Sequence, residues 1–98
     1  MNLSAKDPAE IITLTFDFSA LAVAVQSPVL TAEVATGVVD TAPAGILSGA
    51  AQIDGAQVLQ QVVGGRAGAT YLIRCQVDTA DGHRYVLAAS LPVTRATV

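Results

Sequence analysis

Nine residues, Thr70 to Asp78 (TYLIRCQVD), constrain the fold more than any other stretch of this chain. Tyr71, Ile73, Cys75 and Val77 recur at every second position, and Leu72, Arg74, Gln76 and Asp78 fill the positions between them. An extended strand sends successive side chains to opposite faces, whereas a helix would scatter these four apolar residues around its circumference. The segment is therefore a strand with one dry face and one mostly polar face. It runs into Thr79-Ala80-Asp81-Gly82, where Asp-Gly is a strong reverse-turn pair. Beyond it, Arg84 to Val93 (RYVLAASLPV) places Tyr85, Leu87, Ala89, Leu91 and Val93 on one side. The two segments form a hairpin. Pro92 has no amide proton, so it belongs near a strand end or on an edge.

The same period recurs in Glu10 to Phe18, where Ile12, Leu14, Phe16 and Phe18 alternate with Thr13, Thr15 and Asp17. Lys6-Asp7-Pro8 ahead of it forms a lead-in turn, since Pro8 disfavours helix before it. A short strand is expected over Leu30 to Thr36, with Leu30, Ala32 and Val34 inward and Ser27-Pro28 breaking the chain just before. Ala20 to Val25 is apolar and admits a short helical stretch. Asp40 to Gly45 is a turn-rich connection. Ile46 to Ile53 follows as a strand weakened by Gly49, then an Asp54-Gly55 turn, then a strand over Ala56 to Val63. The facing of that last strand is ambiguous, because Val58, Gln60 and Val62 share one side while Leu59 and Val63 share the other with two glutamines. Gly64 to Gly68 forms a tight bend.

The fold class that follows is all-β, with about six to seven short antiparallel strands and no βαβ spacing. Two sheets packed face to face bury both apolar faces, giving an immunoglobulin-like β-sandwich; a small barrel satisfies the same pattern. The expected division is a lead-in over 1–9, the domain over 10–94 and a tail over 95–98. A chain of 98 residues buries roughly 65% of its unfolded surface, enough for one modest core. Only 13% of the residues are charged and the net charge is −3. With no basic cluster, nucleic-acid binding is not expected, because it depends on neutralising phosphates. One cysteine excludes an intramolecular disulfide, so the core or a partner must supply the stability. Residues 1–8 have no apolar signal core, and no run of 18 apolar residues exists to span a membrane.

Chemistry-bearing residues are sparse. His83, the single histidine, falls at the hairpin tip, far from serving as the base of a catalytic set. One histidine and Cys75 cannot complete a zinc site. Cys75 lies on the inward face, where a free cysteine behaves as a small hydrophobe. Asp78 and Asp81 flank the turn without the spaced acidic pattern of a calcium loop. Asp7, Glu10, Asp40 and Asp54 are dispersed and suggest no paired carboxylates. Gly64-Gly65-Arg66-Ala67-Gly68 lacks the Gly-Lys-Ser/Thr end of a phosphate loop. No catalytic, cofactor-binding or metal residue is therefore expected, nor a small-molecule substrate. Arg66, Arg74, Arg84 and Arg95 either solubilise the surface or contribute to a partner site. Tyr71, following the GRAGAT turn, is placed either as an ordinary core tyrosine or as one whose hydroxyl bonds nearby backbone, as in the tyrosine corner of immunoglobulin-like sandwiches. Thr13, Thr15, Gln57 and Gln61 face water or line an edge that pairs with a neighbour. Leu72, Val86 and Ala88 fall on outward faces and make the hairpin's outer side less polar than a free surface requires.

Lys6-Asp7-Pro8, the strand Ile12 to Phe18 with Phe16-Asp17-Phe18-Ser19, the run Gly64-Gly65-Arg66-Ala67-Gly68-Ala69-Thr70-Tyr71, the alternation Ile73-x-Cys75-x-Val77-x-Thr79 with Gly82, and Leu91-Pro92-Val93 together form a pattern. It resembles a family of small tailed-phage and prophage proteins, the fibre-tail or head-tail adaptors, with an immunoglobulin-like fold. The resemblance extends from Lys6 to Val93. Where members of that family commonly carry tryptophan, this chain has Phe18 and Val34. The resemblance implies a non-enzymatic virion or tail-assembly component, in the particle or in the host cytoplasm when expressed from a prophage. It would act by contacts with copies of itself or with other phage structural proteins. The alternative is a stand-alone binding module recognising a glycan or a host surface, which would require exposed aromatic side chains.

Overall fold

The computed structural model describes residues 3–95. Six strands lie among them: β1 (Ile12–Asp17), β2 (Gln26–Gly37), β3 (Leu47–Asp54), β4 (Gln57–Val62), β5 (Ala69–Asp78) and β6 (Arg84–Pro92), with one 3-10 turn at Pro43–Ile46. They form two three-stranded antiparallel sheets, ordered β1-β4-β3 and β2-β5-β6. The inward faces named from the alternation meet between the layers. Leu14, Phe16, Val58 and Val62 come from the first sheet; Tyr71, Ile73, Cys75, Val77, Ala89 and Leu91 come from the second. The result is sandwich-like, with a single apolar interior that accounts for most of its stabilisation.

The hairpin of β5 and β6 pairs without interruption from Thr70 opposite Pro92 to Asp78 opposite Arg84. Pro92 ends β6, an edge strand, so no ladder bond is lost there. β3 and β4 join through the two-residue turn Gly55-Ala56, with Gly55 at φ 60°. The ambiguous face of β4 resolves with Val58, Gln60 and Val62 inward. The buried Gln60 amide is satisfied because β3 bulges between Ser48 and Gln52: its Nε2 donates to the carbonyls of Ser48 (3.1 Å), Gly49 (3.4 Å) and Gln61 (2.9 Å).

Three expectations need correction. β2 does not begin after Ser27-Pro28; it starts at Gln26 and carries those two residues as an irregularity in its pairing, with Ser27 at φ 53°. An edge strand tolerates a proline there because the missing donor faces no neighbour. Ala20 to Val25 is not helical. It makes one turn on Phe18, whose carbonyl accepts the amides of Leu21 and Ala22, and then drops Val25 into the core. A segment this short gains too few bonds to offset helix nucleation. Ile46 closes the 3-10 turn and the strand starts one residue later.

The segment ahead of β1 is built into the body. Lys6 bridges Val93 in parallel, an exception to the antiparallel rule elsewhere. Leu3 N–H donates to Ser90 O, Lys6 N–H to Pro92 O, and Thr94 N–H to Lys6 O. This strap covers the far half of β6's outer edge. Asp7 to Glu10 then turns the chain into β1. Of the expected tail, residues 96–98 lie outside the described residues, as do residues 1–2 of the lead-in.

Candidate functional site

The chemistry-bearing residues are kept apart, each in a local structural contact. His83 sits exposed at the β5–β6 tip, its Nδ1 3.1 Å from Asp81 and its ring stacked 6.0 Å from that of Tyr85. Thr79 Oγ1 bonds Asp81 and receives the His83 amide, closing the turn. The Thr79 hydroxyl, followed by His83, holds the Asp81 carboxyl below the usual carboxylate range. Asp78 is taken by Arg84 (2.8 Å), so the two acids flanking the turn do not converge on a common point. Cys75 is buried, and desolvation pushes its thiol up to about 11, the reverse of what a nucleophile needs. Glu10 accepts the Asp7 amide, and Asp7 accepts that of Ala9, so this pair shapes the lead-in turn. Among the described residues no group of three or more His, Cys, Asp or Glu is placed to hold a metal ion.

Asp40 and Arg66, far apart in sequence, meet at Tyr71. The Tyr71 hydroxyl donates to Asp40 Oδ2 (2.6 Å) and accepts the Arg66 amide (2.9 Å), while Arg66 Nε lies 3.9 Å from Asp40 Oδ1. The backbone bond anticipated for Tyr71 is present, and a carboxylate nobody would pair with it from spacing completes the site. This network ties the β2–β3 connection to the β4–β5 bend. It is a structural lock, since its hydroxyl and carboxylate already satisfy one another.

Lys6, part of a turn by its sequence, has a larger role in the structure. It is among the largest fully buried side chains, and its Nζ donates to the carbonyls of Asp7 (2.9 Å) and Gly64 (2.8 Å). Burial lowers its pKa. Its role is to rivet the N-terminal strap to the Gly64-Gly65 bend.

What remains exposed is surface suited to protein contact. On the outer side of the second sheet, Val29 of β2 (51% exposed), Gln76 and Val86 (40%) form one row, and Thr31, Arg74 and Ala88 the next. Leu72 is half-buried beside them. Of the expected outward residues, Leu72, Val86 and Ala88 are on this face; Val29 is an addition. At one end of the molecule the β1–β2 loop offers Leu21 and Val23, the latter 95% exposed. Thr13 and Thr15 are exposed on β1, Gln57 and Gln61 lie alongside them on β4, and Arg95 is exposed beyond β6.

A family model described as podophage GP4 fiber-tail adaptor protein gp77 matches residues 6–92. The chain belongs to that family. No curated protein and no solved structure matches it. The gp77 match begins at the buried Lys6 and ends at Pro92, so it takes in both sheets and the Tyr71 lock together.

Proposed function

We propose that this protein is a non-enzymatic structural adaptor of a tailed-phage particle, acting through protein–protein contacts in tail or head–tail assembly. The observation that carries this reading is the gp77 family match across residues 6–92. The site geometry supports it: Asp40, Asp78 and Asp81 are spent on local turns and locks, while Val29 and Val86 on an outer sheet face and Leu21 and Val23 on a loop remain accessible. Its place is the virion, or the host cytoplasm before assembly, and its partners are other phage structural proteins and further copies of itself.

The fold of such an adaptor is an immunoglobulin-like sandwich. The supporting features are the topology and Tyr71. The orders β1-β4-β3 and β2-β5-β6 follow the B-E-D and C-F-G sheets of that fold, with the Lys6 strap running parallel to the last strand. Tyr71 stands near the start of the strand in the F position, its hydroxyl bonded to backbone five residues upstream. A glycan-binding module would need aromatic platforms, and none is displayed: Phe16, Phe18 and Tyr71 are buried and Tyr85 is half-buried against His83.

Deleting the gene from the phage or prophage tests the assembly role. The expected result is particles that fail to complete their tails or to carry fibres, restored by supplying the gene in trans. Infectious particles with complete tails and fibres would overturn it.

A further inference from the structure

A sandwich of two three-stranded sheets has four outer edges, and three of them are blunted here. The strap through Leu3 and Lys6 lies along β6. β3 is distorted by its bulge between Ser48 and Gln52, with Gly49 at φ 71°. β1 is only six residues long. The fourth, β2, is twelve residues long, and between its two irregularities the run Val29 to Val34 pairs regularly with β5 on one side and, among the described residues, with no strand on the other. Such an edge offers unpaired backbone donors and acceptors to another strand.

The core also stops short at this edge. Ile73 and Cys75 on β5 are 0% exposed, yet their β2 neighbours Ala32 and Leu30 are only half-buried, as is Val34 beside Tyr71. A groove of about 380 Å³ opens there between Pro28 and Leu30 of β2 and Leu47, Ala50 and Ala51 of β3. The outer face of the same edge carries two opposite charges, Glu33 and Arg74. Neither has an ion-pair partner among the described residues, whereas Asp40, Asp78 and Asp81 all do.

We propose that β2 pairs antiparallel with β2 of a second copy, joining two three-stranded sheets into one six-stranded sheet about a two-fold axis at Ala32. The register follows by elimination. A pairing that sets residues of odd sequence sum opposite each other would bring inner faces against outer faces. Centring on Glu33 would place two carboxylates directly opposite, which destabilises. Centring on Thr31 sets Glu33 against Val29, and centring on Val29, Leu30 or Val34 runs into one of the two irregularities. Centring on Ala32 sets Leu30 opposite Val34, extending the apolar inner row, and sets Thr31 opposite Glu33. Because Thr31 lies beside Arg74 on β5, each Arg74 then shares a row with the partner copy's carboxylate. Two strand spacings, about 10 Å, separate their backbones, a gap the long side chains span over the small threonine. The two-fold axis makes this pair twice.

This assignment rests on the assembly role above and names one of its contacts. Its test is disulfide trapping, for which fully buried Cys75 leaves a clean background. Ala32→Cys is expected to cross-link to itself under mild oxidation. Thr31→Cys and Glu33→Cys should each stay unlinked alone and join when mixed, since only directly opposed positions meet disulfide geometry. Independently, Arg74→Glu should raise the dimer dissociation constant about tenfold by sedimentation, and Glu33→Arg in the same chain should restore it. Circular dichroism confirms that each variant is folded. A wild-type chain that sediments as a monomer at every concentration, or that cross-links through Thr31→Cys alone, overturns the proposal. If trapping fails while gene deletion still prevents tail completion, the edge assignment falls and the assembly role stands; the opposite pair of results does the reverse.

Discussion

The Tyr71 hydroxyl ties the loop at Asp40 to the bend at Arg66, and its loss should be felt beyond its size. Tyr71→Phe keeps the ring in the core but leaves the Arg66 amide without its acceptor and removes one of the donors to Asp40. Loss of a buried hydrogen bond with one group left unsatisfied costs on the order of 1–3 kcal/mol, and a urea melt should report a lower midpoint with an unchanged slope. The same hydroxyl, ahead of the Ala42 amide and Arg66, holds the Asp40 carboxyl below its ordinary value of 3.8. Asp17 is lowered mainly by the Ser19 amide, and Asp78 mainly by Arg84. Groups with depressed folded pKa bind fewer protons than in the unfolded chain, so their contribution is complete above the unfolded value and disappears as pH falls through the folded one. Stability measured by urea melts should therefore hold from pH 7 to 5 and decline below about pH 4. Cys75 should resist thiol reagents in the folded protein and react fully in urea, because burial holds it as the thiol. Its inertness is legible from the alternation alone. Lys6 is not: nothing local marks a lysine whose acceptors are a neighbouring carbonyl and one 58 residues away, and its riveting role depends on where the bend at Gly64 is delivered.

At the level of elements, strands with clean alternation were readable and those governed by their neighbours were not. β1, β5 and β6 each show one dry face, and the buried residues fall where the period puts them. β4 could not be oriented because its inward side includes Gln60, whose burial depends on carbonyls released by the bulge in β3. The sequence understates the length of β2 because proline ordinarily ends a strand, and only its edge position removes that penalty. The end of β2 is fixed by a close backbone approach. Gly37 adopts φ +92°, and a Cβ there would lie 2.1 Å from the Gly68 carbonyl oxygen. Gly37→Ala must displace one of the two segments, so a loss on the order of 1–3 kcal/mol is expected from the backbone conformation alone, before the clash is counted. Gly55→Ala is the control: it also has positive φ but nothing within 4 Å, so only the conformational part should appear in its thermal melt.

As a whole molecule the protein is an elongated body of 46 × 25 × 22 Å. That shape leaves much sheet surface for its mass, which suits a piece held between neighbours more than one enclosing a reaction. The two-layer architecture could be argued from period and composition. The usable edge could not, because which edges are covered is a property of topology: the strap blocks β6 only because residues 3–6 return alongside Ser90 to Thr94. The proposed role makes this chain a built-in part of a phage particle. Quantitative mass spectrometry of particles purified through a density gradient tests this claim directly. The protein is expected in a fixed stoichiometric ratio to the tail proteins across preparations. Its confinement to the soluble lysate, with none in the purified particles, would contradict the claim.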